Sequence, residues 1–286
     1  MDYGHPLEFG AFITPAAADP SIPVLLSRVA EEAGLDLVTF QDHPYQPAFL
    51  DTWTLMSFVA ARTARIRIAP NVLNVPLRPP AVVARAAASL DLLSNGRFEL
   101  GLGAGGFWDA IAAMGGTRLT PGQSVTALEE AIGLIRELWN TDERRGAFTD
   151  GVHHSVHGAK RGPRPAHRIP LHIGAYKPRM LALTGRTGDG WLPSLGYMKP
   201  GDLGRGNAAI DEAAAAAGRD PGEIRRLLNV GRLAPDPGAF AERLATLARN
   251  DGIGTFILAA DDPNLLREFG EEVAPAVRAL VARERA

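Results

Sequence analysis

The chain has no cysteine, so disulfides and thiolate metal sites are excluded. It has no apolar run of the roughly 18 residues that a membrane-spanning helix needs. Its start, MDYGHPLEFGAF, lacks the basic stretch and long apolar core of a secretory signal. A strong excess of either charge is missing too. The net charge is -2 and the isoelectric point near 6.4, which argues against non-specific binding to nucleic acid. Signature motifs are equally scarce. There is no H-E-x-x-H for zinc, and His153-His154-x-x-His157 lies in a polar stretch without a carboxylate set, so no metal site is expected. Without a G-x-S-x-G elbow or a P-loop, a serine hydrolase and a nucleoside triphosphatase fall away. The expectation these absences leave is a soluble cytoplasmic protein.

What is present is a large core and a regular alternation. Hydrophobic residues make up 46% of 286 positions, and a single domain over 1–286 is expected. Short apolar runs rich in β-formers alternate with segments of helical period. The predicted strands cover 7–13, 37–42, 66–72, 97–103, 169–175, 190–195, 224–233 and 255–260. The clearest helices are PVLLSRVAEEAG, WTLMSFVAARTA, AVVARAAASLDLLS, VTALEEAIGLIRELW and AAIDEAAAAAG, with Gly34, Gly218 and Gly252 where C-caps belong. Near-continuous apolar strands suit a parallel sheet buried on both faces. Eight β-then-α units in a chain of this length define an α/β fold, a (β/α)8 TIM barrel. An open doubly wound sheet alternates in the same way, but its G-x-G-x-x-G turn is missing: Ile13 to Ser21 is a Pro/Ala loop. Two insertions interrupt the barrel, at about 104–124 after strand 4 and at 140–168 before strand 5.

Active sites of such barrels lie at the C-terminal ends of the strands. That rule gathers Asp42-His43 from the second strand, Asn71-Val72 from the third, Gly103-Ala104-Gly105 from the fourth and Gly174-Ala175-Tyr176 from the fifth. Asp42 beside His43 suits a proton donor or acceptor near neutral pH, the carboxylate fixing the imidazole tautomer or raising its basicity. A satisfied strand-end histidine, with Asp42 as a turn cap, is the alternative. LGLGAGG (100–106) reads either as a turn needing positive φ or as a loop whose N–H groups approach a phosphate or flat ring. In GAYKPRM (174–180), Pro178 opens a helix with Lys177 and Arg179 alongside, a natural anion cradle or else a solvated helix start.

Three stretches, AEEAGLDLVTFQDH, NVLNVPLRPPAVVARAAASLDLLSNGRFELGLGAGGFWDAIAAMGG and IPLHIGAYKPRMLALTGRTGDGWLP, resemble in order and spacing the bacterial luciferase-like oxidoreductases, within them the deazaflavin (F420) dependent branch. The resemblance covers nearly the whole chain. It implies a flavin or deazaflavin across the barrel mouth, with Asp42 and His43 over the reactive ring. It also implies a non-prolyl cis bond at Asn71-Val72 bracing that ring. Gly103, Ala104, Gly105, Gly174 and Ala175 correspond to phosphate and ribityl contacts, with Tyr176 and Arg179 as neighbours. One departure stands out: Gly106 replaces the glutamate that the family's sugar-phosphate dehydrogenases use as a proton donor, and Phe107-Trp108 follows. That suggests a greasier substrate wall of Trp108, with Trp53 and Tyr197 as further candidates, although Trp108 also suits packing.

The expected function is hydride transfer between coenzyme F420 and a small organic substrate, with His43 and Asp42 as catalytic residues. The alternatives are an FMN-dependent monooxygenase using reduced flavin and O2, and a non-catalytic flavin-binding protein. Arg144, Arg145, Lys160, Arg161, Arg164 and Arg168 in the second insertion suit the anionic tail of F420 or form a solvated loop. The Ala-rich second and third helices match a dimer interface of relatives, so a homodimer is expected.

Overall fold

The computed structural model describes residues 2–285 and forms the expected barrel. Its parallel strands are Glu8–Ile13, Leu37–Phe40, Arg67–Pro70 resumed as Leu73–Asn74, Leu100–Gly103, Leu171–Ile173, Gly190–Trp191, Arg225–Val230 and Thr255–Ala259. The third strand stands at both ends of the sheet order. Its first half pairs with the second strand, Ile68 beside Val38. After a kink at the cis bond Asn71-Val72, its second half pairs with the fourth, Leu73 beside Leu102. The barrel therefore closes through one bent strand, with a single bridge from Ile68 to Phe98 across the seam.

The kink explains the glycines of LGLGAGG. A Cβ on Gly103 would lie 2.7 Å from Val72 Cγ2, and one on Gly101 would lie 2.2 Å from the Pro70 carbonyl. Gly174, on the fifth strand's tip, would meet Val72 at 3.2 Å. These positions are vacated so that the kinked third strand can seat its valine. Only Gly105 in this stretch takes positive φ, +91°; it makes the turn that leaves the fourth strand.

Helices follow each strand on the outside. Five α-helices of the described residues open on proline (Pro80, Pro121, Pro178, Pro237 and Pro263), whose missing N–H and fixed φ suit that place. Gly34, Gly218 and Gly252 have φ of 79°, 71° and 68° at helix ends, as expected. The helix Pro121–Trp139 begins before the predicted 125 because Thr120 and Gln123 form a reciprocal capping box. The first insertion holds a short helix, Trp108–Ala113. The second folds as an antiparallel hairpin, Ala147–Asp150 with Ser155–Ala159. Glu130 fixes its turn by accepting the N–H groups of Val152, His153 and His154 at 2.8–2.9 Å. At the lower end of the barrel, Arg67 pairs with Glu8 and Glu99, and Arg225 with Glu8, tying strand starts together. No helix of the described residues is long and apolar enough to cross a membrane.

Two alanine substitutions separate packing from propensity. Gly101→Ala should destabilise the protein by about 1–3 kcal/mol through overpacking. Gly133→Ala, on an exposed helical position with nothing within 4 Å of the added Cβ, should stabilise it by about 0.5–1 kcal/mol. Urea midpoints at constant slope read both. A neutral Gly101→Ala would contradict the packing account.

Candidate active site

The strand tips enclose a cavity of about 380 Å³ at the C-terminal mouth. Seven of the eight strands contribute to it, from Phe12 on the first through Asn71 on the third to Asn229 on the seventh. A larger groove of about 730 Å³ runs between the first two helices outside the barrel, lined by Leu25, Leu55 and Phe58 with Arg28, Asp51 and Arg62. The groups suited to proton transfer converge at the mouth, and the site is placed there.

Asp42 is buried, 2% exposed, and its carboxylate is fully engaged. It accepts from the Asn74 N–H at 2.9 Å and from Arg78 Nε and Nη2 at 2.8 Å each. Arg78 also reaches Asp51 at 2.6 Å, the residue that caps the second helix through Thr54 N–H. This corrects one expectation: Asp42 does not hold the His43 tautomer, because the guanidinium has taken both carboxylate oxygens. The His43 ring nitrogens have no hydrogen-bond partner among the described residues. The ring lies instead 5.4 Å from Tyr45 and 5.4 Å from Phe107, centroid to centroid. Burial pushes its pKa below the ordinary histidine value, and the charge of Asp42 opposes this only in part. His43 is therefore a neutral base at pH 7.

Beneath the cavity lies a pair of side-chain amides. Asn71 Nδ2 donates to Asn229 Oδ1 at 2.7 Å and to Thr39 Oγ1 at 3.1 Å. Asn229 Nδ2 returns a bond to Asn71 Oδ1 at 3.1 Å and another to Ser194 Oγ at 3.0 Å. The exchange spans the barrel from the third strand to the seventh and fixes the floor. On one wall, Tyr176 accepts the Ser194 N–H through its hydroxyl at 2.8 Å and meets Tyr197 edge-on at 6.1 Å. Asn74 also lines the cavity, and its buried Oδ1 has no partner.

Of the expected site residues, Asp42, His43, Asn71, Val72, Gly103, Ala104, Gly105, Gly174, Tyr176 and Tyr197 line this cavity. Four do not. Ala175 is buried below the surface, its carbonyl accepting Trp191 Nε1 at 2.9 Å. Arg179 is exposed on the helix beyond Tyr176, with Nη1 beside Gly122. Trp108 packs under the Gly105 turn, about 3.1 Å from where a Cβ would stand. Trp53 packs on Phe98 at 5.6 Å, away from the mouth. The basic residues of the second insertion are also elsewhere. Arg161 pairs with Glu137, Arg164 with Asp142 and Arg168 with Asp189, because the chain there descends to the start of the fifth strand. Sequence reasoning passed over Arg78, Asn74, Ser194 and Asn229; each finds its partners through the fold, and no local motif marks them.

The fold and the mouth site define a (β/α)8 barrel with its candidate active site at the C-terminal ends of the strands. The family model described as luciferase-like monooxygenase matches residues 6–278, and the chain belongs to that family. It is 33% identical to the F420-dependent glucose-6-phosphate dehydrogenase of Kineococcus radiotolerans, over 80% of this chain and 68% of that protein. It is 30% identical to the 5,10-methylenetetrahydromethanopterin reductase of Archaeoglobus fulgidus, over 88% and 71%. Other relatives of the first kind are matched over 61% of their length. Among solved structures, an F420-dependent secondary alcohol dehydrogenase in complex with an F420-acetone adduct superposes with a TM-score of 0.81 at 20% identity, covering 95% and 99% of the two chains; that likeness concerns the fold.

Followed by NMR, the His43 ring should titrate below the ordinary value of about 6.5. Arg78→Gln should move it upward, because the freed carboxylate then acts on the imidazole. An upward-shifted His43 in the unaltered protein would contradict the burial argument.

Proposed function

We propose that the chain is an F420-dependent oxidoreductase that exchanges a hydride with a small organic substrate at the barrel mouth. The observation that carries this reading is the neutral, half-buried imidazole of His43 in one cavity with the kinked Asn71-Val72 segment. The names borne by relatives more than 30% identical support the choice of cofactor. The residues present fit such a group. Gly106 faces open space in a cavity of about 380 Å³ that Val72 and the backbone of Gly103 and Gly174 also line. When bound, the deazaflavin supplies two-electron hydride chemistry.

The remaining roles fall to the chain. Val72 and the amide pair Asn71–Asn229 brace one side of the seat. Backbone at Gly103, Ala104, Gly105 and Gly174 lines the path of the cofactor's side chain, with Tyr176 and Arg179 where it leaves the mouth. His43 takes or gives the substrate's proton at an imidazole nitrogen, while Asp42 holds the strand tip through Arg78. An FMN-dependent monooxygenase is the second reading, favoured by the description of the family.

Titration of the purified protein with F420 and with FMN, read by fluorescence and absorbance, tests the cofactor. F420 should bind at least ten-fold more tightly, and saturation by FMN alone would overturn the choice. His43→Ala should lower turnover by about 10²–10⁴-fold and spare ring binding. An unchanged rate would remove the histidine's role.

The same reading includes a homodimer formed through the outer helices, where Phe58 and Val82 are exposed apolar residues. Light scattering should return twice the mass of the chain; a monomer would contradict it.

A further inference from the structure

The charge and shape of the mouth point to a substrate class, and this inference rests on the reading of the mouth as a hydride-transfer site. None of its lining residues is lysine or arginine. Its one carboxylate, Asp42, is cancelled from behind by Arg78, which is itself bound to Asp42 and Asp51 and has no hydrogen bond toward the cavity among those of the described residues. Lys177 and Arg179 follow Tyr176 without lining the cavity. His43 is neutral through burial. A phosphate dianion placed here would lose water and gain no cation, which is unfavourable.

The apolar side of the cavity is built from flat rings. His43, Tyr45 and Phe107 stand 5.4–6.0 Å apart at mutual tilts of 44–55°. Phe107 remains 61% exposed and Tyr197 82% exposed, so both keep ring surface open to a ligand. Gly106 beside them adds no side chain and leaves open space. Asn74, only 7% exposed, lines the same cavity, and its Oδ1 is buried without a hydrogen-bond partner. An unpaired buried acceptor is costly unless a ligand donor meets it.

We propose that the mouth takes an uncharged aromatic or alicyclic alcohol, or the corresponding carbonyl compound, and excludes phosphorylated sugars. Phe107 and Tyr45 hold the ring of the substrate, and Asn74 Oδ1 accepts from its hydroxyl. In oxidation, the carbinol carbon gives up its C–H bond as hydride to the deazaflavin, and the hydroxyl proton passes to His43. The alcohol thus loses two electrons and becomes the carbonyl compound, while the cofactor gains them. Reduction of the carbonyl compound is the reverse.

Ligand-observed NMR and calorimetry with 1-phenylethanol, acetophenone and glucose 6-phosphate test this, on the protein alone and loaded with F420. The two neutral compounds should bind at least ten-fold more tightly than the sugar phosphate. Phe107→Ala should weaken them five-fold or more, and Asn74→Ala should weaken the alcohol more than the ketone. Phe148→Ala, on the exposed hairpin of the second insertion and outside the cavity lining, should change neither. Equal or reversed preference, no binding of the neutral compounds, or a loss produced by Phe148→Ala and not by Phe107→Ala would each overturn the assignment. If F420 fails to bind while these preferences hold, the cofactor reading falls and the substrate class stands.

Discussion

One buried ion pair organises the mouth. Arg78 meets Asp42 with two parallel hydrogen bonds, and from that contact three elements receive their positions. The second strand ends where the carboxylate is held. The third strand, just past its kink, donates the Asn74 N–H to the same carboxylate. The second helix is drawn in through Asp51, its N-cap. The pair also decides the electrostatics of the cavity. A carboxylate with both oxygens on a guanidinium adds little field beyond itself, so the cavity carries no uncompensated charge, while burial keeps the imidazole next to it neutral. Bidentate geometry matters here, since a lysine supplies a point charge without the planar fork.

The bent third strand is the second constraint, and it acts on sequence at a distance. Seating Val72 requires that the fourth and fifth strands carry no side chain at Gly103 and Gly174. Val72 fills the space over those glycines, and the Asn71–Asn229 exchange spans the floor across the barrel. The same bend lets one strand pair with the second strand below and the fourth above, so barrel closure and the shape of the cavity follow from one local feature. On the proposed function, this is also why a flat heterocycle suits the seat: the floor is braced and the aromatic groups stand to its side.

The strands and their order were legible in the sequence because a strand buried on both faces must be a continuous apolar run, and eight such runs alternating with helical segments allow few architectures. The rule that barrel sites lie at strand ends then located Asp42, His43, Asn71 and Gly103 together. Two kinds of feature were not legible. One is pairing between residues far apart in the chain. Nothing local reveals that Arg78 belongs to Asp42 or Asn229 to Asn71, and the juxtaposition of Asp42 with His43 suggested a contact that the guanidinium pre-empts. The other is where a side chain goes once its backbone is placed. Trp53 and Trp108 were expected at the mouth as large aromatic residues near it, but both are spent on packing. The basic run of the second insertion was read from composition alone. In the fold, its later part pairs with acids away from the mouth.

The account rests on Asp42 and Arg78 acting as one unit, and a double-mutant cycle measures that directly. Arg78→Met should cost about 3–5 kcal/mol in unfolding free energy, since it leaves the buried Asp42 carboxylate without its guanidinium, and Asp42→Asn should cost less, since Arg78 is partly exposed and keeps Asp51. The double variant should cost much less than their sum, with a coupling of about 2 kcal/mol or more. Additive effects, with a coupling below about 0.5 kcal/mol, would mean that the two residues stabilise the mouth separately and would contradict the account.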